Sequence, residues 1–449
     1  MRKKLTKVLI LCLAFALVFT ACSGSSKPAE PEKKAEAPAE QKAPEQKKEE
    51  AKPVKLSVTH NWFGSDAHSA WTKWAFEDFQ KKYPNITLDI NEVPSDKYRQ
   101  KVRADFMANS ATDTVLWYSG AECYDYVKQN LLMDITPVLG SAKDDFMAGM
   151  LQNMTFDSKL YGLPLSQNFF ALYLNKDIYS KYNFQYPKTY EELLEQVKKF
   201  KADGLVPIMM PGQNHPAIAA HFLSFISNQT TKPGDFEKAS YAEDGKSYKD
   251  GGFMKAAEIA AELQKAGAFD PNIDGIPMAS VEDMFSKGKG AMYFIGIWRI
   301  GALPKEMRDK MHPILMPAVK GFTESPNIAT AQTEMGWIVN AQSGKDKAKA
   351  NAVATWVKYF ASKEVSQAHA ELTDTIIPLQ NNVDLAKASY AVKQSVELVK
   401  NGESRPFLRY YQSPAQGGAH NEVGWGLING RITPAEAMDK LVKVPANKR

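Results

Sequence analysis

The chain has 449 residues, of which 44% are hydrophobic and 24% carry a charged side chain, and its formal net charge is +5. Four of the positive charges lie within the first seven residues, so the rest of the chain is close to neutral. No nucleic-acid partner is implied, since binding nucleic acid would need a clustered basic face. The length is sufficient for two or more lobes with separate cores.

The N-terminus predicts export. Residues 1–21 combine a basic start with an apolar run that is too short for a stable membrane-spanning helix, which is typical of a secretory signal peptide. The Ala21–Cys22 junction resembles a bacterial lipobox, with Phe19 where that signal usually has leucine. The resemblance implies that Cys22 is lipidated and anchors the protein to the outer face of a membrane. An uncleaved N-terminal anchor helix is the alternative.

The segment that follows predicts a tether. Residues 23–53 contain seven lysines and seven glutamates, with no aromatic or branched aliphatic residue. Because such a segment cannot bury apolar surface, residues 22–53 are predicted to be a lipidated cysteine with a disordered, mixed-charge spacer. The long spacer and lysine-rich composition favour a Gram-positive, single-membrane host. Cys123 remains without an intrachain partner and is interpreted as a small buried hydrophobe.

From residue 54 onward, strand patterns alternate with helix patterns. Short apolar or alternating runs predict strands at residues 56–59, 86–90, 114–118, 169–174, 206–210 and 291–295. Apolar residues at helical spacing predict helices at residues 71–79, 98–106, 193–200 and 352–360. Thr189 and Glu192 have the spacing of a capping box, and Ser280 and Asp283 have a weaker version of it. The alternation predicts an α/β fold with largely parallel sheets.

Four segments, in a fixed order, carry a resemblance to a known family. They are Phe79–Pro94, Leu160–Tyr179 with the helix pattern after it, Phe285–Ile300 and Gly426–Leu441. With the lipobox, this ordered set resembles the solute-binding proteins of bacterial sugar ABC importers (extracellular solute-binding protein family 1), the group that includes maltose-binding protein.

The resemblance implies a two-lobed periplasmic-binding-protein fold, with chain crossovers between α/β lobes and a ligand cleft between them. By alignment, lobe 1 comprises residues 54–167 with 337–377, and lobe 2 comprises residues 168–334 with 382–449. Open α/β sheets in general bind ligands at the carboxyl ends of their strands, which agrees with this placement.

A sugar site needs flat aromatic side chains for the ring faces and polar side chains for the hydroxyls. Both kinds follow the predicted strands, with turn formation or core packing as the alternative role of each. The candidates are Asn61, Trp62 and Asp66 after the first strand, Trp117 at the end of the third strand, Glu122 beyond it, and Gln213, Asn214 and His215 after the strand at 206–210. Strand alternation directs only one of Trp117 and Tyr118 toward the cleft.

Trp298 is the foremost candidate, because it follows the strand at 291–295 across Gly296 and the matching tryptophan of the family stacks on sugar. Arg299 beside it is a candidate for binding hydroxyls or acids, with a surface ion pair as the alternative. The resemblance further implies ligand contacts from Gln167 or Asn168 at the first crossover and from a flexible loop at residues 416–420. Glu334 and Trp337 lie at the second crossover and are candidates as well, with a core position as the alternative for Trp337. The helical spacing of Trp71, Trp74 and Trp356 indicates core positions instead.

The chain contains none of the common nucleophile, phosphate-loop or zinc-protease motifs. No catalytic residue, metal site or cofactor is therefore expected. The predicted function is a monomeric, extracytoplasmic binding protein that captures a mono- or oligosaccharide by lobe closure and delivers it to the transmembrane permease subunits of an ABC transporter. The alternatives are the same fold binding glycerol phosphate, an amine or a peptide, a sensor, and a secreted glycosidase.

Overall fold

A computed structural model describes residues 53–447, apart from residues 65, 148, 214, 243–245, 250, 324–325 and 375–382. The predicted signal peptide, the lipidation site at Cys22 and the tether up to residue 52 lie outside the described residues. Among the described helices, none combines the length and the hydropathy that crossing a membrane requires.

Strands and helices alternate along the described chain. The strands are β1 (Val54–His60), β2 (Ile86–Glu92), β3 (Thr114–Tyr118), β4 (Thr155–Phe156), β5 (Lys159–Leu160), β6 (Gly162–Asn175), β7 (Val206–Met209), β8 (Gly290–Gly296), β9 (Met311–Ile314), β10 (Ile328–Val339) and β11 (Glu403–Arg405). The α-helices are α1 (Ser69–Lys82), α2 (Ser95–Met107), α3 (Ala121–Lys128), α4 (Thr136–Leu139), α5 (Lys176–Lys181), α6 (Tyr190–Ala202), α7 (Ile218–Thr230), α8 (Asp235–Tyr241), α9 (Gly251–Lys265), α10 (Met278–Ser286), α11 (Lys305–Lys310), α12 (Lys347–Phe360), α13 (Lys363–Thr373), α14 (Tyr390–Asn401), α15 (Pro414–Ile428) and α16 (Pro434–Val442).

The predicted strands and helices are confirmed. Helix α6 shows how the capping residues and the helical spacing of apolar residues predicted an element. Thr189 accepts a hydrogen bond from the backbone of Glu192, and the Glu192 side chain accepts one in return, so the capping box is present. Leu193, Val197 and Phe200 are fully buried, each contributing about 1.5–3 kcal/mol of hydrophobic stabilisation.

The second predicted cap is wrong. Ser280 and Asp283 both lie inside α10, which begins after Pro277, and the helix has no side-chain cap there. Pro277 cannot donate a backbone hydrogen bond, and its ring presets a backbone angle suitable for the start of a helix, so it sets the boundary instead.

Within the described residues, nine strands form one sheet, whose main order is β2-β1-β3-β10-β6-β8-β7. The outer strands pair in parallel, β1 with β2 and β3, and β7 with β8. The long strands β6 and β10 are antiparallel to each other and to β8 and β3 respectively. The expectation of largely parallel sheets is therefore confirmed for the outer strands. It is wrong at the centre of the sheet, where β6 and β10 run in opposite directions.

Two hydrophobic cores flank this central pair. The first core draws on residues 56–165 and 335–365, and the second core draws on residues 169–331 and 391–441. The chain passes from one core to the other within β6, between Leu165 and Phe169, and again within β10, between Ala331 and Met335. The residues between those pairs lie in neither core and are available to line a cleft.

Candidate functional site

The two crossing strands bring polar side chains together at the boundary of the cores. Asn168 of β6 lies opposite Gln332 of β10 in the antiparallel register. Gln332 Oε1 accepts a hydrogen bond from the backbone N–H of Phe407 at 3.0 Å. The Asn168 Oδ1 atom is buried and has no hydrogen-bond partner among the described residues. A buried acceptor of this kind is costly unless a ligand or water donates to it.

A β-bulge directs Glu334 into the same region. The register of β10 on β6 passes from Thr333–Gln167 to Met335–Ser166, so Glu334 is the extra residue at the irregularity. Bulges re-aim side chains in this way beside many functional sites. The Glu334 carbonyl accepts a hydrogen bond from the backbone N–H of Ser119 at 2.8 Å, which ties the bulge to the end of β3.

A cavity of about 320 Å³ lies at this boundary and is lined from both sides. The crossing strands contribute three side chains to it, and the regions around the first and second cores contribute the rest. The lining residues are Asn168, Gln332 and Glu334 from the crossing strands, Arg99, Tyr118, Ser119, Ala121 and Glu122 from the side of the first core, and His215, Pro216, Ala217, Ile218, His221, Trp298, Phe407, Arg409, Tyr410 and Asn421 from the side of the second core.

Trp298 provides a flat surface in the cavity. Its ring packs edge-on against Phe170 with centroids 5.0 Å apart, and Phe170 in turn contacts His221 and Phe407 at 4.8 and 4.9 Å. The tryptophan ring also lies over Gly296, where an added Cβ would be 1.3 Å from Trp298 Cζ3. The glycine therefore creates the space that the ring occupies.

Charged side chains line the cavity on the side of the first core, whereas Trp298 lines it on the side of the second. Both Glu122 carboxylate oxygens accept hydrogen bonds from Arg99 Nε at 3.1 Å, and Arg103 Nη2 donates to the same carboxylate at 3.2 Å. The Arg99 guanidinium lies 3.5 Å from the ring centroid of Tyr118, a cation–π contact. Arg99 therefore fixes two groups of the wall at once.

The protonation states in the cavity differ from ordinary values. Burial raises the pKa of Glu334 to about 7, an effect that Arg99 opposes and Asp66 reinforces. Burial lowers the pKa of His221 to about 3, with smaller contributions from Arg409, His420 and Arg99. His221 is thus neutral at physiological pH, whereas Glu334 titrates there.

The structure brings five of the predicted site residues into the cavity: Glu122, Asn168, His215, Trp298 and Glu334. These residues come from distant parts of the sequence. They lie close together because the crossing strands β6 and β10 join the two cores at this point.

Three predicted tryptophans are in the first core instead. Trp62 stacks on His68 at 4.1 Å, Trp117 donates its indole N–H to the Glu122 carbonyl at 3.1 Å, and Trp337 packs on Trp356 at 5.2 Å. Each is at most 4% exposed, so none presents a face to a ligand in this structure. At the end of β3 the alternation places Trp117 inward, and Tyr118 is the residue that reaches the cavity.

Four further candidates have structural partners or lie beside the cavity. Asn61 is buried and donates to Ser95 Oγ at 3.2 Å. Asp66 accepts a hydrogen bond from the backbone N–H of His68 at 2.8 Å, as a turn-forming aspartate does. Arg299 is held by Glu282 through two hydrogen bonds of 2.8 and 2.9 Å. Gln167 is buried, and its Oε1 has no partner among the described residues.

The remaining candidates lie elsewhere. Gln213 is exposed, and Asn214 lies outside the described residues. Residues 416–420 belong to α15, which a capping box at Ser413 and Gln416 begins, so the expectation of a flexible loop there is wrong. Among the described residues, no group of three histidine, cysteine, aspartate or glutamate side chains is arranged to hold a metal ion.

Several cavity residues were not predicted from the sequence. They are Arg99, Tyr118, His221, Gln332, Phe407, Arg409, Tyr410 and Asn421. Most lie inside helices or on a strand that the sequence pattern did not reveal, where nothing local distinguishes a cleft-facing residue. The alternation at Trp117–Tyr118 was the one available signal, and its direction depended on tertiary packing.

Residues 64–367 match the family model of the bacterial extracellular solute-binding proteins. The chain belongs to this family. The membership confirms the family that the four sequence segments predicted, and it makes this chain an extracellular solute-binding protein by class.

Two curated relatives illustrate the range of this solute-binding family. An uncharacterized ABC transporter extracellular-binding protein of Pyrococcus horikoshii is 21% identical over 87% of this chain and 87% of its own length. A galactooligosaccharide-binding protein of Bacillus subtilis is 27% identical over 51% of this chain and 53% of its own length.

A solved structure supports the fold. A chitin oligosaccharide binding protein, 21% identical, superposes with a TM-score of 0.78 over 87% of this chain and 98% of that one. The two-lobed periplasmic-binding-protein fold predicted from the sequence is thus confirmed, with the cavity at the junction of the two cores.

Proposed function

We propose that this solute-binding protein captures a mono- or oligosaccharide in the 320 Å³ cavity by lobe closure and delivers it to the permease of an ABC transporter. The observation that carries the proposal is the pairing of Trp298 with unpartnered polar atoms in one cavity between two cores. An indole face suits the apolar side of a sugar ring, and the Asn168 amide oxygen suits a hydroxyl. The galactooligosaccharide-binding and chitin oligosaccharide-binding relatives support the choice of ligand class.

Lobe closure is the mechanism that we propose. The lobes would comprise residues 54–167 with 337–377 and residues 168–334 with 382–449, and the separation of the two cores supports this division. A ligand that contacts both lobes stabilises the closed state in proportion to its differential affinity for that state. The transporter then meets one closed surface, and no cofactor takes part.

The anchor is a second part of the proposal. Cleavage before Cys22 and lipidation of that residue would hold the protein on the outer face of the membrane, with residues 23–53 as a tether. A tether keeps the local concentration near the permease high, so docking itself can be weak. Metabolic labelling with a fatty acid, compared between the wild type and Cys22→Ala, tests the anchor.

A glycosidase is the second candidate function, and one observation favours it. Glu122 and Glu334 line the same cavity, and the pKa of Glu334 is raised to about 7 by burial, as in a general acid. Against it, both oxygens of the Glu122 carboxylate accept hydrogen bonds from Arg99, and one also accepts from Arg103, so they are already engaged where a nucleophile or base would have to be free. We therefore propose binding without turnover, and chromatography of sugars recovered after incubation with the protein distinguishes the two.

A thermal-shift screen against neutral sugars, polyols, phosphates, amines and peptides tests the ligand class. A ligand of the folded state at 100 times its Kd stabilises the protein by about 2.7 kcal/mol. We expect a shift with one series of sugars, and its loss in Trp298→Ala. Trp74→Ala, a partly buried tryptophan of α1 outside the cavity, is the matched control. Shifts confined to compounds other than sugars would reject the proposal.

A further inference from the structure

Arg409 is distinguished by its lack of a carboxylate partner. Its guanidinium lines the cavity, and it forms no ion pair or side-chain hydrogen bond with the residues that the structure describes. Each of the other described arginines is paired: Arg99 and Arg103 with Glu122, Arg299 with Glu282, Arg308 with Asp374, Arg405 with Glu403, and Arg431 with Asp274.

The surroundings of Arg409 do not neutralise it. Arg409 Nη1 is 2.7 Å from the position that a Cβ on Gly417 would take, so the guanidinium packs on the first turns of α15. The N-terminal end of a helix carries partial positive charge and offers no compensation. The nearby carboxylate of Glu122 already accepts hydrogen bonds from Arg99 and Arg103.

Electrostatic interactions point the same way. Burial lowers the pKa of Arg409. The charges of Arg99 and Arg103 lower this pKa further, whereas Glu122 and Tyr118 act to raise it. A guanidinium stays charged at any ordinary pH. Arg99, Arg103 and Arg409 thus lie near the Glu122 carboxylate, whose hydrogen bonds go to Arg99 and Arg103, and Arg409 is left without a carboxylate partner.

We infer that the ligand is an acidic sugar, a mono- or oligosaccharide with a uronic acid unit, whose carboxylate is bound by the Arg409 guanidinium. The inference rests on the proposed function and narrows its ligand class. A guanidinium is planar and presents parallel N–H donors that match the two oxygens of a carboxylate. Trp298, in the same cavity, would take the apolar face of the same ligand or of a neighbouring sugar unit.

A carboxylate fits this cavity better than a phosphate ester. A phosphate monoester carries a charge between −1.5 and −2 near neutral pH, roughly twice that of a carboxylate. Glu122 and Glu334 line the same cavity, and they would repel a dianion more strongly than a monoanion. One unpaired guanidinium balances one negative charge.

Calorimetric titration with matched ligands tests the inference. The probes are di- and trigalacturonate, the same compounds as methyl esters, glucuronoxylan oligosaccharides with their neutral xylo-oligosaccharide counterparts, and glucose 1-phosphate. For at least one acidic sugar, we expect the wild type to bind the acid about tenfold or more tightly than its neutral counterpart, as a charge-assisted bidentate pair implies. Arg409→Gln should abolish this preference, so that the acid and its neutral counterpart bind with similar affinity.

Two variants serve as controls. Arg431→Gln alters an arginine that pairs with Asp274 away from the cavity, and it should leave the preference intact. Trp298→Ala should weaken the acid and the neutral form alike. Circular dichroism and thermal unfolding of Arg409→Gln establish that it is folded, and removal of an unpaired cation is expected to leave its stability unchanged or raised.

The outcomes separate this inference from the proposed function. Binding of neutral sugars with no preference for an acid would overturn the acidic ligand and keep the sugar-binding function. Tighter binding of glucose 1-phosphate than of every uronate would overturn the carboxylate assignment. Failure of every sugar to bind would reject both. A preference that survives in Arg409→Gln would remove Arg409 from the site.

Discussion

Glu122 and Glu334 are chemically identical side chains that the structure places in different surroundings. Glu122 has two guanidinium partners, Arg99 and Arg103, whereas Glu334 projects from a bulge without a recorded hydrogen bond to its carboxylate among the described residues. Burial disfavours the ionised form of Glu334 and raises its pKa to about 7. The difference follows from the local packing of each residue.

This shift predicts a pH-dependent contribution to stability. The pKa of Glu334 is higher in the folded state than in the unfolded chain, so its contribution is fully present below pH about 4.5 and is lost as pH rises through 7. Urea denaturation of the wild type and Glu334→Gln between pH 5 and 8 measures this. We expect the free energy of unfolding of the wild type to fall relative to that of the variant as pH rises. Parallel curves would contradict the prediction.

Substitution of Gly296 tests the role of the Trp298 ring in ligand binding without changing Trp298 itself. The Gly296 backbone has φ −80° and ψ 151°, which any residue adopts, so Gly296→Ala adds no backbone strain. Its methyl group would collide with the Trp298 ring and force it out of place. We expect ligand affinity to fall by about 2 kcal/mol, the scale of a lost aromatic anchor, with a change in tryptophan fluorescence.

A matched glycine makes this result interpretable. Gly275 has open space where its Cβ would lie, so Gly275→Ala should leave affinity and fluorescence unchanged. If Gly296→Ala binds the ligand as the wild type does, the Trp298 ring is not the platform.

At the level of elements, β6 and β10 determine where the cavity forms. Each strand begins in one core and ends in the other, and their antiparallel pairing sets Asn168 opposite Gln332. Both strands are continuous through the boundary and join the two cores there. The cavity residues lie beside this connection.

A second contact between elements predicts a variant that impairs closure. Gly120, between β3 and α3, has φ +68°, and a Cβ there would be 2.4 Å from ring carbons of Tyr410. Gly120 belongs to the side of the first core, and Tyr410 to the side of the second. Gly120→Ala should therefore weaken ligand binding by holding the two sides apart, as measured by titration calorimetry and small-angle scattering.

Backbone strain is the competing explanation, since Gly120 has φ 68° and ψ −138°, a conformation that non-glycine residues rarely adopt and that costs them about 1–3 kcal/mol. The double variant Gly120→Ala/Tyr410→Ala separates the two causes, with Tyr410→Ala alone as the reference. Steric blocking predicts that the alanine at 120 has little effect once the tyrosine ring is gone. An equal loss of affinity in both backgrounds would assign the effect to strain.

At the scale of the whole molecule, histidine burial links stability to pH. All seven histidines of the chain are described, and burial lowers the pKa of each one. His60 and His312 titrate at about 4, and His68, His221 and His420 at about 3. The unfolded chain takes up these protons near pH 6.5.

The protein should therefore lose stability in mild acid. Each neutral buried histidine stabilises the folded state fully above pH about 6.5, and this contribution is lost as pH falls toward the folded-state pKa. We expect the free energy of unfolding to decrease from pH 6.5 to 5, and His312→Gln to reduce that slope by the equivalent of one proton. A free energy that is constant or rises toward pH 5 would contradict the prediction, since Glu334 alone has the opposite sign in this range.

The sequence by itself determined the elements and the family. The strands at 114–118 and 291–295, the helix behind Thr189 and the order of the four family segments could be predicted because periodicity and capping act over a few residues. It also identified Trp298, because this residue follows the strand pattern at 291–295 across Gly296 and matches a tryptophan of the family.

Only the tertiary structure decided which residues share the cavity. Trp62, Trp117 and Trp337 were candidates beside Trp298, yet packing placed them in the first core. Arg409 and His221, by contrast, line the cavity from a short 3-10 helix and from α7. The bulge at Glu334 arises from the pairing of two strands that are distant in sequence. The physical reason is the sequence distance over which each effect acts. Periodicity depends on residues within one helix or strand, whereas the direction of a side chain at the boundary between the two cores depends on neighbours that are distant in sequence.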